Sequence, residues 1–225
     1  MKKSTLFSFF LPAVVIVILY SCAPAYVPNV LNTPLLSNKG EIQASLNGGI
    51  SGFDPQVAYA LTDHVGLALN GSFANRTSDS TDNYHKHSFV ELGAGYYTKL
   101  GLIGRFETFG GAGFGNTRGE YSNELWSAYT NSSFTRLYLQ PGLGIATAPF
   151  DGSLAARLVF VDMKQGSQKS TGFFLEPVIT LNIGFKYVKL FTQFGFSYPL
   201  KEEIDFNYQP FIFSMGLHAY LFRHF

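Results

Sequence analysis

The sequence predicts an all-β protein: a closed, antiparallel, up-and-down transmembrane β-barrel of ten strands, preceded by a signal segment and an extended tether. Three observations predict it. From residue 41 to the end, apolar side chains recur at every second position, and no stretch beyond residue 22 carries a convincing 3.6-residue stripe. The polar breaks between these runs alternate between short and long, as inner turns and outer loops do in membrane barrels. Aromatics make up 16% of the chain and glycine 23 of its 225 residues, against only 14% charged residues. That composition suits a wall that faces lipid and bends at glycines.

Residues 1–21 come first. Lys2 and Lys3 form a basic start, and residues 6–19 form an apolar run broken only by Ser8 and Pro12. The run is about 14 residues long, short of the roughly 20 that a spanning helix needs, so it reads as a secretory signal. Cys22 is the only cysteine, which rules out an internal disulfide. Leu19-Tyr20-Ser21-Cys22 resembles a bacterial lipobox, with Tyr20 larger than its position usually carries. The resemblance implies cleavage before Cys22 and a covalent lipid on its thiol and new amine. No acidic group stands in residues 23–26, which on the same resemblance points to the periplasmic leaflet of the outer membrane. An uncleaved anchor, or a plain signal peptide with a chance cysteine, is the blander alternative. No other cofactor is expected.

Residues 22–40, with Pro24, Pro28 and Pro34, suit neither helix nor strand. They read as a lipidated extended tether reaching at most about 60 Å. The barrel domain then spans 41–225. Its strand segments run 41–51, 54–62, 65–76, 87–98, 103–117, 133–147, 153–163, 172–185, 188–198 and 208–222, or eight strands if the first pair is irregular. In the third, Val65, Leu67, Leu69 and Phe73 share one face and Gly66, Ala68, Asn70 and Ser72 the other. The sixth and tenth divide the same way. Inside a bilayer every backbone group needs a partner, and only closure of the sheet supplies one at each edge. A soluble sandwich that buries the same face is the alternative. Pro141 and Pro177 fall within strands, where each removes a ladder hydrogen bond and marks a bulge, unless the strand limits lie a few residues away. The loop alternation places both ends of the barrel, and the tether, on the periplasmic side.

The ending "SMGLHAYLFRHF" resembles the C-terminal strand signal read by the barrel-assembly machinery, with Gly216, Tyr220, Phe222 and a terminal Phe225. Together the two chain ends make residues 41–225 resemble the small OmpA/OmpX-like outer-membrane barrels, here carried on a lipoprotein signal. That resemblance implies outer-membrane lipid and the assembly machinery as partners.

The inward parity carries the candidate site. Glu91, Glu107 and Glu176 share it with Arg105, Arg136 and Arg157. A small barrel's interior is filled by side chains, and an unpaired buried ion costs several kcal/mol. An interlocked ion-pair network is expected, with Tyr138, Gln140 and Gln193 adding hydrogen bonds. A plugged, rigid lumen is the expectation, and a gated polar channel or ligand pocket the alternative. Luminal glycines such as Gly93, Gly111 and Gly144 make room for large side chains opposite.

Other motifs carry less. Residues 110–115, "GGAGFG", have a glycine spacing seen in nucleotide-binding loops but no strand-to-helix context. His85 and His87 stand at i, i+2 without an evident third zinc ligand, so a solvated loop is expected there. His218 has luminal parity and could pair with a glutamate as a general base, though sealed from substrate. A barrel enzyme is therefore the third reading. The 16 basic residues balance 15 acidic ones, which argues against a nucleic-acid partner. Tyr121, Trp126 and Tyr129 lie in loops suited to contact with a larger outer-membrane complex.

Overall fold

A computed structural model describes residues 24–78, 83–122, 127–201 and 203–223. Cys22, Trp126, Phe225 and the signal segment lie outside the described residues. The strands are β1 (Ile42–Gly49), β2 (Gly52–Ala60), β3 (Val65–Thr77), β4 (Tyr84–Leu100), β5 (Gly104–Ser122), β6 (Ser127–Ala146), β7 (Phe150–Gln165), β8 (Gln168–Gly184), β9 (Val188–Phe196), β10 (Tyr198–Pro199) and β11 (Phe211–Leu221). Each of the first nine pairs antiparallel with its sequence neighbour. β9 then pairs with β11, and β11 with β1, which closes ten strands into a barrel. The two-residue β10 is an extra piece lying against β8. Closure gives each of the ten strands a strand partner on both sides, as the predicted fold class requires.

Alternating parity decides which side chains face out. On β5, the outward positions Phe106, Thr108, Gly110, Ala112 and Phe114 give way to Asn116, Arg118 and Glu120. On β6, Ile145, Leu143, Pro141, Leu139 and Leu137 give way to Thr135, Ser133 and Asn131. β4 changes at Val90 to Ser88 and Lys86, and β7 at Phe160 to Asp162 and Lys164. The outward apolar band thus covers about 9–11 residues of a strand, the length that a tilted strand needs to cross hydrocarbon. Exposed aromatics edge the band: Tyr59, Tyr96, Tyr187 and Phe222 at one end, Phe53, Phe114 and Phe160 at the other. Among the described residues no helix is long and apolar enough to cross a membrane, which leaves strands untouched.

Three expectations need correction. The long polar breaks are mostly strand: β4 starts at Tyr84, β5 runs to Ser122, and β7 and β8 are joined through Gly166 at φ 59. The alternation survives as hairpins that project far beyond the apolar band at one end and barely at the other. The prolines make interruptions rather than bulges. β6 and β7 lose their pairing around Pro141 and resume in the same register, from Leu139↔Leu158 to Gly142↔Ala155. Both Pro141 and Pro177 face outward, so no luminal contact is lost.

The third correction is the largest. The described part of the expected tether, residues 24–40, is extended but runs inside the barrel. Tyr26, Asn29, Leu31 and Leu36 are wholly buried. Ala25 and Tyr26 donate their N–H groups to the Asn207 carbonyl in the connection before β11, at the long-hairpin end. At the other end, Lys39 donates its N–H to Asp63, Gly40 donates to the Ala60 carbonyl, and the Asn38 amide reaches the Phe222 carbonyl. The segment therefore passes through the lumen from long hairpins to short turns. Pro24 sits at the mouth opposite to the side expected for a periplasmic tether.

Candidate functional site

The lumen is the site. Two ion pairs form within it. Arg157 and Glu176 stand directly opposite each other on β7 and β8, and Arg157 Nε donates to Glu176 at 2.7 Å. Arg136 and Glu91 are two strands apart, with Gly113 of β5 between them in the register. The absence of a side chain at Gly113 lets the guanidinium lie across β5, over the Phe89 ring at 4.2 Å, and donate Nε to Glu91 at 2.9 Å. A Cβ at Gly113 would sit 2.6 Å from Phe89. Tyr138 lies down in the same way across Gly111 toward Gly93.

Glu107 and Arg105, expected as members of the ion-pair network, do not pair with each other. Glu107 accepts the Leu35 N–H at 2.8 Å, while Arg105 donates to Ser37 Oγ at 3.0 Å and to the Leu102 and Gly104 carbonyls. Both are spent on the threaded segment and the barrel's end.

That segment bridges the two ion pairs. Arg136 and Arg157 both donate to Asn29 Oδ1, at 2.7 and 2.9 Å, and Arg157 also donates to the Asn29 carbonyl. Tyr26 donates its hydroxyl to Glu176 at 2.9 Å and accepts from Arg136 at 3.2 Å. Below them the wall reads the main chain. Gln193 accepts the Leu31 N–H and donates to the Leu31 carbonyl, as a paired strand would. Gln56 donates to the Val30 carbonyl and Gln140 to the Asn32 carbonyl. Leu35, in the left-handed region at φ 49, is held by Glu107 at its N–H and by Arg223 at its carbonyl.

A backbone without secondary structure can be buried only if its polar groups find such partners. Its apolar side chains meet a fitted wall. Tyr26 stacks on Phe174 at 5.0 Å and meets Phe134 edge-on, while Leu31 packs with Ala155, Val178 and Ile212. Gly66 and Gly144 leave the space that Leu36 and Leu35 occupy.

A second charge cluster lies at the short-turn end. Asp151 accepts from Lys189, Arg223 and Tyr220, and Arg223 also approaches Glu41 at 3.3 Å. Glu41 accepts the Ser37 N–H at 2.7 Å. Inward parity was the available signal for Glu41, Asp151 and Lys189. Asn29 offered none, because its strandless segment has no parity to read. His218 is sealed, with its ring against Gln43 at 2.9 Å, and Gln43 in turn donates to Glu41.

His85 and His87 lie in β4 above the apolar band, not in a solvated loop. His85 Nε2 is 3.0 Å from His87 Nδ1, and His87 Nε2 is 3.1 Å from Ser72 Oγ. Burial, with Arg76 adding to it, pushes His85 down to about 4. Burial, then His85 and Arg76, push His87 down to about 3. The order resembles a base and its nucleophile, but Ser72 is 1% exposed and meets no solvent. Among the described residues no cluster of three His, Cys, Asp or Glu is placed to hold a metal ion.

The fit around Gly93 gives a direct test. A Cβ there would stand 2.1 Å from the Tyr138 hydroxyl oxygen. Gly93→Ala is expected to lower stability by about 1–3 kcal/mol, read as a shifted urea midpoint in vesicles. Adding Tyr138→Phe is expected to restore part of it. An unshifted midpoint for the single variant shows a loosely packed wall.

No protein-family model matches the chain, and no curated protein does. Among solved structures, it is similar to the N-terminal β-barrel domain of Pseudomonas aeruginosa OprF, at 13% identity and a TM-score of 0.39, over 82% of this chain and 100% of that one. It is also similar to the β domain of the Bordetella autotransporter BrkA, at 11% identity and a TM-score of 0.34, over 80% of this chain and 96% of that one.

Proposed function

We propose that the protein is an outer-membrane β-barrel lipoprotein without enzymatic activity, a structural or accessory subunit with a closed lumen. The observation that carries this is the division of the wall. Its outer face presents an apolar band of spanning length edged by aromatics, and its inner face holds charges paired with each other and with a threaded segment. A soluble protein would have to cover that outer band with its own chain. Here Leu92, Leu143, Leu154, Leu190 and Met215 are each more than half exposed.

Residues 25–37 and the two ion pairs fill the space that a channel would need, which supports a plug over the narrow-pore reading. The long hairpins, with Tyr129 outward and exposed, offer contact to a larger envelope complex. Barrels of this kind carry longer excursions on the outer side, so the long hairpins face outward and the short turns face the periplasm.

The purified protein is expected to resist alkaline carbonate extraction, to migrate as a heat-modifiable band, and to give no discrete conductance steps in planar bilayers. Release by carbonate overturns the spanning reading. Stable unit conductance from the intact chain overturns the plug.

A further inference from the structure

We infer that the lumen is a binding channel for the chain's own N-terminal segment, threaded so that whatever precedes Pro24 is displayed on the outer surface, with the lipid of the outer leaflet as its partner. This rests on the orientation proposed above.

Both ends of the segment are pinned. Ala25 and Tyr26 are bonded to the Asn207 carbonyl at the long-hairpin mouth, and Lys39 and Gly40 are bonded to the Asp63 carboxylate and the Ala60 carbonyl at the short turns. Between them the wall satisfies main-chain groups from Asn29 to Ser37, so the lumen is built for this strand and is occupied by it.

Pro24 stands at the long-hairpin mouth, and the lumen behind it is filled by the segment that follows.

The rim is low on one side only. The β1–β2 hairpin turns at residues 50–51, while β5 and β6 continue to Ser122 and Ser127. A cleft of about 520 Å³ opens at that mouth, lined by Pro24, Val27, Ile50, Arg76 and Phe211 among others. Below the low rim, Phe53 and Phe213 face outward and are exposed, marking the hydrocarbon edge. A chain leaving past Pro24 over this rim reaches the outer leaflet within a few residues, and acyl groups on Cys22 would enter that leaflet.

Threading also orders assembly. A lipid-bearing end cannot pass through a closed, filled lumen, so the β1–β11 seam zips up around the segment.

The test uses the full chain in intact cells and a membrane-impermeant maleimide. Three variants each add one thiol: Ala23→Cys, Asn131→Cys on the outward face of the long β6 hairpin, and Lys39→Cys at the short turns. Unaltered chain reports any unacylated Cys22. Ala23→Cys is expected to label on intact cells as Asn131→Cys does, and Lys39→Cys only after permeabilisation. Labelling of Asn131→Cys but not Ala23→Cys on intact cells overturns the threading while leaving the barrel and its orientation standing. Failure of Asn131→Cys to label on intact cells overturns the orientation, and the display inference with it. Each variant's heat-modifiable band shows that it has folded.

Discussion

Arg136→Met is expected to lower the unfolding free energy by about 3–5 kcal/mol. Glu91 is left without its ion-pair partner in a sealed interior, and Asn29 and Tyr26 lose a donor at the same moment. Most of the loss comes from the stranded carboxylate rather than from the missing attraction. The double variant Arg136→Met with Glu91→Leu should therefore be more stable than the single one, retaining a cost of about 1–3 kcal/mol for the polar groups on the threaded segment. Urea titration in vesicles, followed by tryptophan fluorescence and by the heat-modifiable band, reads both. An unchanged midpoint for Arg136→Met means that water reaches Glu91 and that the lumen is a wet passage.

Deletion of residues 25–37 is expected to turn a non-conducting barrel into one with discrete conductance steps. The segment fills the lumen with Tyr26, Leu31, Leu35 and Leu36, and the small residues facing it cannot close the gap from the wall. Gly66 and Gly144 would face open space. A gentler variant covers the case in which the deleted chain does not fold. Tyr26→Phe, Asn29→Ala and Gln193→Ala together keep most of the segment's bulk but remove its side-chain bonds to both ion pairs and the Gln193 bonds to the main chain at Leu31, leaving of these only the Asn29 carbonyl on Arg157. Brief openings are expected from it. A deleted barrel that folds and stays silent shows that Arg136, Arg157 and Tyr138 close the lumen unaided, and the plug becomes a passenger.

The wall was legible because its rules are local. A strand that faces lipid must alternate, and a luminal charge must sit on the opposite parity. Glu91, Arg136, Arg157 and Glu176 could be placed from period two alone. The threaded segment was not legible in the same way. Pro24, Pro28 and Pro34 argue against regular structure, and an extended chain without regular structure reads as a tether. Its composition did carry a signal: Val27, Val30, Leu31, Leu35 and Leu36 are too apolar for a solvated linker, which would be polar and charged. A lumen with Gln43, Gln56, Gln140 and Gln193 facing inward also holds more donors than its ion pairs can use. Glu107 and Arg105 show where pattern stops. They lie two residues apart on one face, yet each answers to a different point on a third element.

By itself, then, the sequence determined the wall: ten alternating segments, the face each presents to lipid, and the charges that must be hidden inside. Those follow from steric alternation and from the cost of unbonded backbone in hydrocarbon, both of which act over a few residues. Only the tertiary structure decided what fills the lumen and from which end it enters. Leu31 meets Gln193 across 162 positions of chain, and Asn29 meets Arg157 across 128. Contacts so distant leave no periodic trace. They arise because a closed cylinder with a charged interior must be filled, and the segment next to its first strand supplies the groups that fit.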